Sequence, residues 1–224
     1  MKTVALIVAA GRGTRLGAEI PKQYIELNGP CALRRSVDLF LSIPAVSGVV
    51  CVIHPDDRDR YDAAVQGIEK TALLAPVNGG VTRAVSVRNG LEALVSGAPD
   101  AVLIHDAARP FMPSRVIDAV IAALRTGRAV CAGLPVVDAL WDAPDGVALR
   151  SVSRDGLWRA QTPQGFHFQS ILAAHRAHAG AGADDVAVAR EAGMEVQFVI
   201  GSEAGYKITT ADDLERALSE TSDR

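Results

Sequence analysis

Residues 3–9 read Thr3-Val4-Ala5-Leu6-Ile7-Val8-Ala9 and run directly into Ala10-Gly11-Arg12-Gly13-Thr14-Arg15-Leu16-Gly17. An almost unbroken apolar run of this length fits a strand buried on both faces. The glycines that follow let backbone approach an anion closely, and successive N–H groups there form a phosphate-binding concavity. Similar apolar runs recur at Val49 to Ile53, Leu73 to Val77, Ala101 to Ile104, Ala129 to Leu134 and Val196 to Ile200. Helical periodicity fills the gaps, at Ala32 to Leu41, Asp57 to Ile68, Val85 to Val95, Ser114 to Leu124, Gln169 to Ala177 and Asp184 to Ala192. Buried strands alternating with amphipathic helices predict right-handed βαβ units and a Rossmann-like α/β fold with a mostly parallel sheet. Ligands in such folds sit at the carboxyl ends of the strands. At 224 residues, with no repeat or linker, the chain is expected to form one domain over residues 1–224.

One segment breaks the alternation. Val136 to Val152 carries VVDALW and GVALRSV around Ala143-Pro144-Asp145-Gly146. Pro-Asp-Gly is a strong turn signal, so a hairpin is expected, forming a β-arm over about residues 135–154. It projects from the sheet, where it would pair with another chain or lie as a surface flap. The tail from Glu220 to Arg224 is polar and expected to fray.

The formal net charge is −3, which argues against a polymeric nucleic-acid partner. A bound nucleotide must then be met by a local cluster of cations. Cys31, Cys51 and Cys131 lie far apart without CxxC spacing, as free thiols of a reducing cytosol would. No apolar stretch reaches membrane-spanning length, and no signal-peptide pattern opens the chain. A soluble, cytoplasmic protein is expected.

Five segments carry candidate chemistry. The first loop is neither a Walker A loop nor GxGxxG, and it adds two cations, Arg15 and, after Pro21, Lys22. A triphosphate needs such cations more than a dinucleotide does. The second segment, Gly79-Gly80-Val81-Thr82-Arg83-Ala84-Val85-Ser86, offers backbone at Gly80 and a hydroxyl at Ser86 to a base. Arg83 there serves phosphates or pairs with a carboxylate. The third, Ile104-His105-Asp106-Ala107-Ala108-Arg109-Pro110, places Asp106 at a strand end, suited to ribose hydroxyls or hydrated Mg²⁺. Arg109 would grip a second phosphate or brace Asp106. The fourth and fifth are Ser153 to Gln164 and Gly205-Tyr206-Lys207-Ile208-Thr209, each a cation beside a turn and ordinary surface if taken alone. His175 and His178 lack partners for zinc and read as solvated surface. Asp56-Asp57 and Asp184-Asp185 read as helix N-terminal charges.

In order, AAGRGTRLG with PKQY, GGVTRAVSV, IHDAARP, SRDGLWRAQTPQGF, Asp184-Asp185 and YKIT resemble the 2-C-methyl-D-erythritol 4-phosphate cytidylyltransferase family of the non-mevalonate isoprenoid pathway. The resemblance spans nearly the whole chain and implies a nucleotide-diphospho-sugar transferase-like fold and a homodimer joined through the β-arm. It implies CTP and a polyol phosphate as substrates and Mg²⁺, or another divalent cation, as cofactor. Arg15 and Lys22 match cations at the transferring phosphate. Ala9, Ala10, Gly11, Gly13, Gly80 and Ser86 match CTP contacts, the last two at cytosine, and Asp106 matches a residue near ribose and metal. Arg109, Arg154, Thr162 and Lys207 match groups around the acceptor phosphate, with Arg154 supplied across the dimer. Ala139, where relatives often carry Thr, and Gly205, where they usually carry Asn, depart from the pattern. They keep a different acceptor, such as ribitol 5-phosphate, open. A dinucleotide-dependent oxidoreductase is the more distant alternative; it would use an acidic residue after the second strand, in His54-Pro55-Asp56, for ribose.

Overall fold

A computed structural model of the chain describes residues 1–12, 20–69, 71–178 and 184–222. The opening apolar run is strand β1 (Thr3–Ala9), with parallel neighbours β2 (Val46–Ile53) and β4 (Ala101–Asp106) on its two sides. Its side chains explain the lack of alternation. Ala5, Ile7 and Ala9 enter a core with Leu33, Val37 and Phe40 of helix α1 (Ala32–Leu41) and Ile117 of α4 (Ser114–Leu124). Val4 and Leu6 enter the opposite core, with Val87 and Leu91 of α3 (Arg83–Ala93) and Phe168 and Ile171 of α5 (Phe168–Ala177). Both faces are covered, so both parities must be apolar.

Together with α2 (Arg58–Ala64), β3 (Val77–Asn78), β5 (Ala129–Pro135), β8 (Trp158–His167), α6 (Asp185–Glu191) and β9 (Val196–Ile200), these build a seven-stranded sheet in the order β3-β2-β1-β4-β8-β5-β9. The expected α/β sheet is present and mostly parallel. The exception is β8, which runs antiparallel to both β4 and β5.

Trp158 to Gln164, which would pass as ordinary surface if taken alone and is marked by no apolar run, enters a central strand. Gln161, Thr162 and Gln164 are buried there, and they disguise the strand. The two amides are satisfied by distant backbone and by a carboxylate, Gln164 Nε2 donating to Asp184 Oδ2 at 2.9 Å. Gln161 Nε2 donates to Ser202 O at 2.8 Å and Gln161 Oε1 accepts from Ser202 N at 3.0 Å. Gln164 Oε1 accepts from Val186 N at 3.2 Å.

Two further corrections concern the chain's ends and edges. Helix α7 (Ala211–Ser222) takes in Glu220 to Ser222 of the tail expected to fray, with Ala217 and Thr221 buried, while Asp223 and Arg224 lie outside the described residues. Its start is marked by a reciprocal cap: Thr210 Oγ1 accepts from Asp213 N at 3.3 Å, while Asp213 Oδ2 accepts from Thr210 N at 2.8 Å. The run at Leu73 to Val77 supplies only a bridge from Leu73 to Val49 and the two-residue β3.

The expected hairpin forms. Strands β6 (Leu140–Asp142) and β7 (Arg150–Val152) pair antiparallel as a separate two-stranded sheet. Asp145, at φ 56, and Gly146, at φ 79, turn the chain between them. Trp141 is 58% exposed and Leu149 67%, so the arm carries apolar side chains that this chain alone leaves uncovered.

Helix α3 lies directly on the sheet at Gly90, where a Cβ would meet Leu6 Cδ1 and Val52 Cγ2, both at 2.7 Å. Both neighbours are fully buried. Gly90→Ala should therefore destabilise the fold by about 1–3 kcal/mol through overpacking, despite a gain of roughly 1 kcal/mol in helix propensity. Urea unfolding of the two proteins checks this, and a more stable variant would mean that the packing gives way.

Candidate active site

Strands β1, β2 and β4 end side by side, with Val8 opposite Asp106 and Ala9 opposite Ile53. Their carboxyl ends form the floor of a cleft of about 470 Å³. The structure brings Ala9, Ala10, Gly11, Lys22, Gly80, Ser86, Asp106 and Lys207 together around it, joined by His54, Arg12 and Arg83. Gly13 and Arg15 lie outside the described residues. Gln23, fully buried in the turn Lys22–Tyr24, fixes the first loop by donating Nε2 to Ala9 O at 2.6 Å and Gly11 O at 3.0 Å. Lys22 Nζ donates to Ile208 O at 2.6 Å, which ties the loop side of the cleft to the Lys207 side.

Asp106 is the electrostatic centre. Lys207 Nζ donates to its Oδ2 at 2.8 Å, Arg83 Nε to its Oδ1 at 3.3 Å, and Arg109 Nε lies 3.9 Å from Oδ2. Burial works to raise this carboxyl's pKa, but Arg83, Lys207 and Arg109 together outweigh it and hold the pKa well below the usual carboxylate range. Arg83 in turn lies 2.8 Å from Asp185 Oδ2, and His175 Nε2 lies 3.2 Å from Asp185 Oδ1. Of the two roles open to Arg83, the structure therefore shows pairing, with two carboxylates. Asp184 and Asp185 open α6 as expected, Asp184 accepting from Ala187 N at 2.9 Å, with Asp185 buried; His175, expected as solvated surface, is buried too. Sequence spacing gives no sign of this alternating chain of charges, since its members come from β4, α3, α5 and α6 and from the segment before α7.

A neutral network supports Asp106 from behind. Asp106 N donates to Thr162 Oγ1 at 3.1 Å, Thr162 Oγ1 lies 3.0 Å from His105 Nδ1, and His105 Nε2 lies 3.2 Å from Arg109 O. Only one proton arrangement satisfies all three: Nε2–H donates to the Arg109 carbonyl, and Thr162 O–H donates to Nδ1. Burial lowers the His105 pKa to about 4, against the opposing pull of the Asp106 charge. The Thr162 hydroxyl, expected at an acceptor phosphate, thus has its proton committed to His105.

The other expected acceptor groups divide. Lys207 lines the cleft, whereas Arg109 Nη1 donates to Gly205 O at 2.8 Å. A side chain at Gly205 would meet Met112 Cε at 2.1 Å, so the buried Met112 occupies the room that an Asn would need. Arg154 is exposed on the arm, donates to Val137 O, and lies beside Ala139 in a separate hollow. Within one chain it does not join the cleft.

The wall opposite the first loop is built of backbone. Cβ atoms at Gly79 and Gly80 would lie 2.4 Å from Ala10 Cβ and 2.2 Å from Val85 Cγ1. Ser86 Oγ donates to Thr82 O at 2.9 Å and accepts from Gly80 N at 3.0 Å, while Thr82 caps α3 by accepting from Val85 N. The acidic residue that a dinucleotide would need, Asp56, is paired with Arg12 Nη2 at 2.8 Å. Among the described residues no group of three His, Cys, Asp or Glu side chains fits a metal ion. With both oxygens of Asp106 engaged by cations, the site does not fit a protein-held metal.

The family model described as IspD: 2-C-methyl-D-erythritol 4-phosphate cytidylyltransferase matches residues 3–220. The chain is 51% identical over 217 residues to the bifunctional enzyme IspD/IspF of Rhodospirillum rubrum, covering 96% of this chain and 56% of that protein. It is 48% identical to the 2-C-methyl-D-erythritol 4-phosphate cytidylyltransferase of Cereibacter sphaeroides, covering 97% and 96% of the two chains. It therefore spans about half the length of the bifunctional relatives and nearly all of the others. Among solved structures it resembles the 2-C-methyl-D-erythritol 4-phosphate cytidylyltransferase of Thermus thermophilus, with a TM-score of 0.80, 28% identity and 98% coverage of both chains. It also resembles the 4-diphosphocytidyl-2C-methyl-D-erythritol synthase of Anaerococcus prevotii, with a TM-score of 0.84 at 26% identity over 99% and 96% of the two chains.

His105 provides a pH test of this geometry. Its folded pKa lies below the unfolded value, so the unfolded chain binds the extra proton between about pH 6.5 and 4. Stability should be full above that window and fall by up to roughly 3 kcal/mol across it. Urea midpoints that stay flat from pH 7 to 5 would contradict the network. Imidazole ¹⁵N shifts should show the neutral Nε2–H tautomer at pH 6.

Proposed function

Because the chain belongs to the 2-C-methyl-D-erythritol 4-phosphate cytidylyltransferase family, we propose that it transfers CMP from CTP to 2-C-methyl-D-erythritol 4-phosphate. The products are 4-diphosphocytidyl-2-C-methyl-D-erythritol and pyrophosphate. The observation that carries the reading is the meeting, in one cleft, of the first loop's backbone, Lys22 and Lys207 with the Gly80–Ser86 wall. Cytosine fits against that wall: the Ser86 hydroxyl has given its proton to Thr82 O and keeps acceptor capacity for an exocyclic amino group. The triphosphate extends toward the loop amides and Lys22, and Arg15 is proposed to join them.

The acceptor's phosphate has a second pKa near ~6 and is mostly dianionic at neutral pH. One of its oxygens forms a bond to the α-phosphorus of CTP as the bond from that phosphorus to the β-phosphate oxygen breaks. Pyrophosphate leaves with the electron pair, and no proton need be removed. Among the described residues none is asked to act as a base in this scheme: His105 is buried, neutral and bonded at both nitrogens, Asp106 is held among cations, and His54 accepts from Asp56 N through Nδ1. The protein's work is in-line positioning and stabilisation of the charge that develops on the transferring phosphate. Magnesium enters with the triphosphate as part of the substrate, held by phosphate oxygens, in keeping with the engagement of Asp106.

Lys207 is proposed to meet the acceptor phosphate, with Arg109 and Thr162 shaping the Asp106 corner around it. Arg154 then reaches a second copy's cleft from the arm, whose exposed Trp141 and Leu149 suit burial in a homodimer. A cytoplasmic setting agrees with the three buried free thiols, and no described helix is long and apolar enough to cross a membrane.

Pyrophosphate release should require CTP, Mg²⁺ and methylerythritol phosphate together, with GTP far poorer. Equal turnover of GTP would sink the cytosine slot, and preference for ribitol 5-phosphate in an acceptor panel would move the assignment to that substrate. Lys22→Ala and Arg15→Ala should each lower kcat by at least about a hundredfold, as the loss of an oxyanion donor does. Near-normal turnover would remove that residue from the mechanism. Inactive Lys22→Ala and Arg154→Ala subunits, once exchanged, should together regain roughly a quarter of wild-type activity, because one site in each mixed dimer carries neither lesion. No recovery, with exchange shown by tagged pull-down, would place Arg154 in its own subunit's site.

A further inference from the structure

The first loop is fastened from a second side, by a node that the transfer mechanism does not use. Arg12 leaves the glycine-rich loop, and its guanidinium lies 2.8 Å from Asp56 Oδ2 and 3.3 Å from Asp57 Oδ1. The two acids are unlike. Asp56 is 70% exposed at its side chain, whereas Asp57 is fully buried and also receives Arg60 Nη1 of α2 at 2.8 Å. Among the described residues, neither the buried Tyr24 hydroxyl nor the second Asp57 oxygen has a hydrogen-bond partner. Burial first, and the Asp57 charge second, raise the Tyr24 pKa, so the phenol stays protonated. Asp57 thus stands where the first loop, α2 and the Lys22–Tyr24 turn converge.

A buried carboxylate shared by two guanidiniums is fixed in place, and truncating one partner leaves the other buried and poorly compensated. An exposed pair such as Arg12 with Asp56 would contribute little alone. Gln23 holds the carbonyls of Ala9 and Gly11, and Arg12 holds the end of the same stretch through its side chain. With both ties in place the Ala10 to Arg12 backbone is set before any ligand arrives, which lowers the ordering cost of binding. Arg12 borders the cleft, but its charge is answered by two carboxylates.

We infer that Asp57 is a positioning residue for nucleotide binding: through Arg12 it clamps the Ala10 to Arg12 backbone in the shape that receives the triphosphate of CTP. The clamp rests on the cytidylyltransferase reading for its ligand, but the held loop can be tested without one. In the unliganded protein, amide hydrogen exchange across residues 9–12 should quicken by about tenfold or more in Arg12→Gln and in Asp57→Asn, and no further in the double variant. Unchanged exchange would overturn the clamp even if the protein turned over no CTP at all. With CTP and methylerythritol phosphate, each single variant should raise KM for CTP about fivefold with kcat nearly unchanged, and the double variant should match the worse single. Arg12→Lys should recover part of the loss. The opposite reading, in which Arg12 grips the triphosphate itself and Asp57 holds it back, predicts that Asp57→Asn lowers KM. That result, or effects that multiply, would overturn the positioning role. If Asp57→Asn does not fold, the exposed Asp56→Asn carries the same sign test, with a smaller rise in KM expected. A wild-type protein inactive on CTP would instead remove the functional reading and leave the exchange result to judge the clamp.

Discussion

Everything around the cleft is arranged to keep one carboxylate ionised where it would otherwise be neutral. Asp106 ends a strand buried along its whole length, and such a position disfavours charge. Lys207 and Arg83 bond to its two oxygens, and Arg109 stands just beyond. That single compensation fixes a lysine at the edge of the cleft, ties α3 to the end of β4, and passes through Arg83 to Asp185 and His175. Removing the acid would leave three cations crowded at one point. Removing a cation would leave the acid poorly compensated. The site's geometry is therefore a property of the set and not of any one member.

A consequence for chemistry is that the cations near Asp106 divide into two kinds. Arg83 and Arg109 are tied on several sides, to Asp185 and to the Gly205 carbonyl. Lys207 keeps about a third of its side chain exposed and borders the open cleft. The first kind shapes a preset field, and the second is left open to an anion entering the cleft. Such preorganisation suits the proposed reaction, in which charge shifts between phosphates and no proton moves.

The architecture was legible where burial is two-sided or periodic. Thr3–Ala9, Ala32–Leu41, Ser114–Leu124 and Val196–Ile200 stand at the residues that their apolar patterns mark. Strand β8 was not legible, because its buried side chains are amides and a hydroxyl bonded to distant backbone, and no local pattern announces such partners. Helix α7 had a readable cap in Thr210 and Asp213 that the polar composition of the tail obscured. At the cleft, glycine spacing and strand ends picked out the residues that touch open space. The residues behind them, Asp57, His105, Asp185 and His175, were invisible because their roles depend on neighbours far along the chain. His175 even reads as solvent-facing, since an ionisable side chain suggests exposure until a buried partner is known.

The reversed strand has a bearing on how the chain is made. Strands β1, β2 and β4 are contiguous in the sheet and complete by residue 106, so they can associate while the rest is still being synthesised. The open flank of β4 then waits for β8, which ends at His167, and β5 reaches the sheet only through β8. Until then the growing polypeptide shows a strand that is apolar from Ala101 to Ile104 with its hydrogen-bonding edge unmatched, a form prone to pair with another molecule. The polar face of Gln161, Thr162 and Gln164 has a second meaning in that light. In the segment that closes the gap, Thr162 finds His105 already made, whereas Gln161 and Gln164 bond to Ser202 and Val186, which follow β8 in the chain.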